Sequence, residues 1–192
     1  PRSTLFPYTT LFRSLVMVKT TNEAWMKNLN SNAGLRIGRW FTPVFGLAAE
    51  SNVYFNDHCS HFMPQSKTIA RYMNTSLIAT VNFSNWLAGY KGEPRTFEFV
   101  PVFGFGWGHT FGTEENFNVL TSKAGIDFTF NLGSKKAWQI YVEPSMNWAL
   151  NGYGYEGVAY DINKSAFQLN AGIVYKFKNS NGSHNFTIAQ LR

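Results

Sequence analysis

The sequence predicts an all-β fold, an antiparallel up-and-down transmembrane β-barrel, and three observations support that prediction. Apolar and polar residues alternate with period 2 through most of the segment 33–177, the pattern of strands whose two faces meet different surroundings. The alternating segments are long, several running 11 to 14 residues, against about 5–6 for a globular strand and about 9–11 for a tilted membrane strand. The polar face is slim and sparsely charged, rich in Gly, Ala, Ser, Thr and Asn. A narrow barrel interior needs small side chains, whereas a water-facing sheet carries more Lys and Glu.

Composition agrees with a membrane barrel. Aromatic residues make up 17% of the chain and charged residues only 15%, well under the roughly 25% charged usage of average domains. No run of 18 apolar residues exists, so a transmembrane helix is excluded, a test that barrels evade because their apolar residues alternate with polar ones. The formal charge of +6 is scattered, with Lys135–Lys136 the only adjacent basic pair. A nucleic-acid footprint needs a clustered basic stripe, so no nucleic-acid partner is expected. The lone Cys59 excludes an internal disulfide framework.

Residues 1–14, PRSTLFPYTTLFRS, can be encoded by codons that resemble a sequencing-library adapter read in frame. On that reading the segment is an adapter-derived artefact to be set aside before fold reasoning. The barrel then occupies residues 15–178 with its first strand missing, and discounting Arg2 and Arg13 lowers the formal charge from +6 to +4.

Seven strands are recognisable. In Ala166–Phe177, Phe167, Leu169, Ala171, Ile173, Tyr175 and Phe177 oppose Gln168, Asn170, Gly172, Val174 and Lys176. In Ala137–Leu150, Trp138, Ile140, Val142, Pro144, Met146 and Trp148 oppose Gln139, Tyr141, Glu143, Ser145 and Asn147. In Thr96–Thr110 the stripe Phe97, Phe99, Pro101, Phe103, Phe105, Trp107 opposes Glu98, Val100, Val102, Gly104, Gly106 and Gly108. The remaining four are less pure. Ala124, Ile126, Phe128, Phe130 and Leu132 oppose Lys123, Asp127, Thr129 and Asn131; Leu77, Ala79, Val81 and Phe83 oppose Thr80, Asn82 and Ser84; Phe45, Leu47, Ala49, Val53 and Phe55 oppose Gly46, Glu50 and Asn52, with Ser51 interrupting the apolar face; Leu35 and Ile37 oppose Gly34, Arg36 and Gly38.

The connections fall into two sets. Phe41–Pro43 and Gly133–Lys136 are tight turns, and Asn85–Arg95 is a longer turn punctuated by Gly89, Gly92 and Pro94. The other set, Leu15–Asn32, Asn56–Met73, Phe111–Asn116 and Asn151–Ser165, is mostly longer and polar. Short turns at one end and longer loops at the other is the outer-membrane barrel pattern, with the short turns periplasmic.

The apolar stripes carry no charge away from strand ends, as lipid demands, since a Lys or Arg at the midplane costs roughly 2–4 kcal/mol. Seven charges fall on the polar face: Arg36, Glu50, Glu98, Lys123, Asp127, Glu143 and Lys176. In so narrow a bore pairing is expected, because an unpaired buried charge is costly, and two arrangements stand level: the pairs form a plug, or several of the seven are hydrated residues of the rim. Aromatic residues belong in interface girdles: Trp40, Phe41, Trp86, Tyr90, Trp138, Tyr175 and Phe177 toward the short turns, and Tyr54, Phe55, Trp107, Phe117 and Trp148 toward the long loops.

Other constellations carry less. Asp57, His58, Cys59 and His61 form a compressed cluster in an expected external loop; His58, Cys59 and His61 are weak candidate metal ligands that lack an assigned fourth. The run GFGWG at 104–108 lies within a strand and lacks the following helix that a nucleotide loop needs. His109 has no identified nucleophile or orienting acid beside it, so no catalytic residue is assigned.

Four stretches, LRIGRWFTP (35–43), NFSNWLAGY (82–90), FVPVFGFGWG (99–108) and GIVYKF (172–177), in that order and spacing, resemble the barrel portion of outer-membrane-protein-A-like proteins. The resemblance covers about residues 33–178. It implies an eight-stranded barrel in the outer membrane of a Gram-negative bacterium, followed by a periplasmic peptidoglycan-binding domain. Residues 179–192 then look like the start of a linker to that absent domain, and the strand ending at Phe177 resembles the terminal aromatic signal read by barrel-assembly machinery. The partners so implied are outer-membrane lipids and lipopolysaccharide, the assembly machinery, and peptidoglycan through the missing domain. The expected role is structural anchoring with at most small-pore activity, without enzymatic activity or cofactor. Two rival classes are a soluble lipocalin-like ligand-binding barrel with its apolar stripes turned inward, and an outer-membrane enzyme acting on lipid.

Overall fold

The computed structural model describes residues 6–18, 29–55, 67–112, 118–151, 160, 165–177 and 186, with side chains described from residue 32 onward. The described residues form eight strands: β1 (Phe6–Val18), β2 (Leu29–Trp40), β3 (Phe45–Phe55), β4 (Ala70–Val81), β5 (Phe97–Thr110), β6 (Asn118–Leu132), β7 (Trp138–Ala149) and β8 (Ser165–Lys176). A short helix, α1 (Phe83–Ala88), interrupts the turn between β4 and β5. Each strand pairs antiparallel with its sequence neighbour, and β1 pairs with β8 to close the barrel.

The first correction concerns β1. Residues Phe6–Val18 fill the position of the first strand, running from Phe6 opposite Trp40 to Met17 opposite Leu29 on one side. On the other side they run from Tyr8 opposite Lys176 to Val18 opposite Ala166. The barrel therefore has eight strands here, not seven with a gap. The physical reason is closure: an open sheet would leave the N–H and C=O groups of β2 and β8 unpaired in a medium without water, each costing several kcal/mol. The segment is rich in Thr, Phe, Tyr, Leu and Val, residues suited to a strand. Closure bears on what these residues do and is silent on how they were encoded.

Register fixes which face each side chain takes. Leu77 is 62% exposed while its neighbour Ile78 is 0% exposed, and this alternation repeats along β3, β4, β5 and β7. Phe103, Phe105, Trp107, Ile140, Leu169 and Ile173 stand on the outside, whereas Glu50, Asn52, Glu98, Glu143 and Asn170 are buried inside. The pattern is that of a membrane barrel with its apolar side outward, and it removes the lipocalin-like arrangement.

Glycines let facing strands approach across the polar face. A Cβ built on Gly106 would lie 2.6 Å from the Thr75 carbonyl oxygen and 2.1 Å from Ser76 Oγ. On Gly108 it would lie 1.8 Å from the Tyr72 hydroxyl. GFGWG is thus packing within β5, as the missing helix implied.

Several boundaries differ from the sequence reading: of the expected 15–32 loop, residues 15–18 belong to β1 and 29–32 to β2, because pairing with β8 and with each other extends both strands. β4 starts at Ala70, so residues 70–73 belong to the wall and not to the preceding loop; a register shift at Tyr54/Phe55 hides the alternation there. Phe83 leaves the strand for α1, because Asn82 turns the chain: its side chain accepts from Asn85 N at 3.0 Å, an N-cap contact.

Candidate functional site

The described lumen is filled by side chains in layers, and the central layer is ionic. Arg36 on β2 is its hub. Its Nε donates to Glu50 Oε2 at 2.7 Å and its Nη1 to Asp127 Oδ2 at 2.8 Å, while Nη2 contacts the carboxylates of both Glu50 and Glu143. Lys123 Nζ on β6 bridges Glu50 Oε1 at 2.7 Å and Glu143 Oε1 at 2.5 Å. Two bases and three acids from β2, β3, β6 and β7 thus form one network. Every member side chain is 9% exposed or less. The Arg36 guanidinium also lies 5.6 Å from the centre of the Tyr141 ring, a cation–π contact.

Polar side chains toward the long loops extend this network. Asn52 donates to Glu50 Oε1 at 2.9 Å and Asn170 to Glu143 Oε1 at 2.6 Å. Gln168 donates to Asn170 Oδ1 at 2.7 Å, and Asn147 donates to Gln168 Oε1 at 2.9 Å. Such partners occupy lone pairs that the ion pairs leave over, without which burial of the charges would cost more than their attraction returns.

Toward the short turns the filling changes character. Ala48, Ile78, Val102, Tyr141 and Val174 form an apolar layer, and Trp40 packs against it. At the short-turn end a second polar group gathers around Asn131. Its Nδ2 donates to Glu98 Oε2 at 3.0 Å and to the Arg95 carbonyl at 2.7 Å, while Oδ1 accepts from Lys176 Nζ at 2.5 Å.

All seven predicted interior charges therefore face the bore, but in two sets. Arg36, Glu50, Lys123, Asp127 and Glu143 make the central network; Glu98 and Lys176 meet through Asn131 at the end. The sequence reading missed Arg71, which is 0% exposed, since the register shift conceals its face. It also missed Arg95 as a fixed group. Arg95 Nη1 donates to Asn85 Oδ1 at 3.1 Å, and Nη2 donates to the carbonyls of Ala88 and Gly89 at 3.0 and 2.7 Å.

The aromatic expectations divide. Trp107, Trp138 and Phe177 are exposed on the outer wall, and Trp138 packs on Tyr175 with centroids 4.8 Å apart. Trp148 packs edge-on with Tyr160 at 5.8 Å. Trp40 is a correction: it faces inward, because Gly46 opposite leaves room for an indole inside the bore. Tyr54 is another. It is 5% exposed, and its hydroxyl donates to Gln168 Oε1 at 3.4 Å. Alternation puts both inside, Trp40 in step with Arg36 and Gly38 and Tyr54 in step with Glu50 and Asn52; the girdle expectation follows residue type and overrides that face.

Phe117 and the cluster Asp57, His58, Cys59 and His61 lie outside the described residues. Among the described residues no group of His, Cys, Asp and Glu is arranged to hold a metal. His109 Nδ1 is 2.7 Å from Asn118 Oδ1, and its ring stacks on Trp107 at 5.5 Å; these contacts make it part of the outer aromatic wall.

No protein-family model matches the sequence, and no curated protein matches it. Solved structures do match. The N-terminal β-barrel domain of Pseudomonas aeruginosa OprF superposes with a TM-score of 0.53 at 12% identity, covering 90% of this chain and 97% of that one. Neisserial surface protein A superposes at 0.52 with 8% identity, again covering 90% of this chain and 97% of the other. At such identities the likeness is one of fold.

Proposed function

We propose, from the premise that this chain has the fold of the eight-stranded outer-membrane barrels, that it is a structural barrel of the outer-membrane-protein-A-like kind. On this reading it sits in the outer membrane of a Gram-negative bacterium and anchors a peptidoglycan-binding domain carried by the parent protein. The apolar belt contacts membrane lipid, with lipopolysaccharide at the long-loop rim, and the strand end at Phe177 is the element offered to barrel-assembly machinery.

One observation supports the structural role most strongly: the bore is occupied by paired charges. Arg36 reaches carboxylates on β3, β6 and β7, so the centre of the barrel is cross-linked where a porin would hold water. A scaffold that transmits load between membrane and cell wall needs a stiff wall, and buried ion pairs braced by further hydrogen bonds, as at Glu50 and Glu143, supply directional constraint. At most a small conductance is compatible with that filling. The same layout supports the structural role, since among the described residues the central buried acids and bases are engaged with one another.

Heat-modifiable gel mobility after refolding in detergent, together with co-sedimentation of the parent protein with isolated cell wall, tests the proposal. A folded barrel that migrates compactly and a parent protein that pellets with peptidoglycan support it. A chain that stays in the aqueous phase on detergent partitioning overturns it.

A further inference from the structure

The turn between β4 and β5 is longer than a strand connection needs, and it is built as a rigid object. A helix of 6 residues is far too short to be stable alone, yet α1 is held on its barrel-facing side at several points. Asn82 N donates to the Val44 carbonyl at 2.7 Å and Asn85 Nδ2 to the Pro43 carbonyl at 2.9 Å. Ser84 Oγ accepts from Phe99 N at 2.9 Å. At the other end the Arg95 guanidinium sits on the carbonyls of Ala88 and Gly89, where a cation suits the helix dipole.

This fixed helix turns its apolar residues outward. Leu87 is 80% exposed and Trp86 is 58% exposed. The Trp86 ring lies 6.4 Å from Phe45 and 5.2 Å from Phe83, and Phe83 lies 6.1 Å from Phe99. The aromatic contacts continue along the wall, Phe99 to Phe128 at 5.6 Å and Phe97 to Phe130 at 5.0 Å. β4 contributes only Leu77, Ala79 and Val81 to the outer face at its short-turn end. The helix therefore supplies the aromatic residues that β4 lacks, and its apolar face is continuous with the lipid-facing wall. Around the same rim stand Arg39, Lys91, Lys135 and Lys136, with Glu93 the acidic residue among them.

We infer that α1 is an interfacial foot: Trp86 and Leu87 seat in the headgroup and upper acyl layer of the phospholipid leaflet at the short-turn end, beneath a basic rim suited to anionic headgroups. Amphipathic rings favour that depth, and an apolar helix face can lie in the plane of the interface. The inference rests on the membrane-barrel reading and adds to it a specific contact between one turn and one leaflet. The foot also sets the depth of the barrel, because its polar anchors on Pro43, Val44 and Phe99 leave α1 no freedom to follow the bilayer independently.

The test uses the full chain and its Trp86→Phe variant, refolded into phosphatidylethanolamine–phosphatidylglycerol vesicles carrying lipids brominated either just below the headgroup or near the chain end. The emission lost on substitution reports Trp86. The expected result is that this component is quenched strongly by the shallow bromines, weakly by the deep ones, and little by iodide in the water. Quenching by iodide but not by either brominated lipid overturns the inference, as does protection that appears only as protein concentration rises, which would mean a second copy covers the helix. If the remaining tryptophans also escape bromine, the membrane reading itself has failed; if they are quenched and Trp86 is not, only the foot is lost.

Discussion

Arg36 on β2 donates through Nη1 to Asp127 Oδ2 on β6 at 2.8 Å, an ion pair that spans the bore between strands four apart in the closed barrel. Backbone pairing ties each strand only to its two neighbours, so this contact and its companions are cross-braces of a different kind. They couple opposite walls.

Removing the hub should therefore cost more than removing a rim charge. Arg36→Ala leaves Glu50, Asp127 and Glu143 facing Lys123 alone, and breaking a buried pair from one side costs about 3–5 kcal/mol. Urea unfolding in detergent micelles should show a loss of that order, whereas exposed Lys91→Ala should change stability by less than about 0.5 kcal/mol.

The same braces should restrict conduction. Planar-bilayer recording on the full chain is expected to show small or no steps, and the double variant Arg36→Ala, Lys123→Ala should raise conductance, because the two side chains that bridge the walls are gone. Large stable steps in the unmodified barrel would contradict the filled bore.

Close strand approach predicts a steric limit at Gly106. Its added Cβ would meet the Thr75 carbonyl, which is backbone and cannot rotate away. Gly106→Ala should cost about 1–3 kcal/mol, seen as reduced refolding yield and lower thermal stability. Truncating Ser76 as well should recover only part, since the carbonyl remains.

At the short-turn rim, burial raises the Tyr90 hydroxyl to about 12, with the nearby charges of Glu98 and Glu93 adding to the effect. The folded state thus holds this proton more tightly than the unfolded chain, whose tyrosine titrates near 10. The associated stability is present below about pH 10 and is lost as pH rises toward 12. Tyr90→Phe should flatten that alkaline decline, measured by unfolding midpoints at a series of pH values.

Much of this arrangement was legible in the sequence because a period of 2 assigns a face. Arg36, Glu50, Lys123, Asp127 and Glu143 were placed inside by alternation alone. What alternation cannot give is register across the bore, so the grouping of these five apart from Glu98 and Lys176 emerged only with the strands aligned. Two further elements were hidden for local reasons. α1 follows Asn82, whose capping contact is a side-chain event invisible to hydropathy, and Phe83 continues the apolar stripe by coincidence of spacing. Trp40 and Tyr54 were legible by parity with Arg36 and Glu50, but their aromatic character points to the girdles; Gly46 and the polar layer leave the space that admits them to the bore. The first strand is hidden because the coding resemblance of residues 1–14 competes with their β-forming composition, and their pairing shows only with β2 and β8 on either side.

The central claim is that the apolar face of each strand meets lipid and the polar face fills the bore. Nitroxide scanning of β4 from Ser76 to Val81, in a Cys59→Ser background refolded into vesicles, tests it most directly. The account predicts that oxygen collision rates peak at Leu77, Ala79 and Val81 and fall at Ser76, Ile78 and Thr80, with a water-soluble nickel relaxant excluded from the peaks. Peaks for the nickel relaxant at Leu77 and Ala79, or oxygen maxima at Ser76 and Ile78, would contradict it.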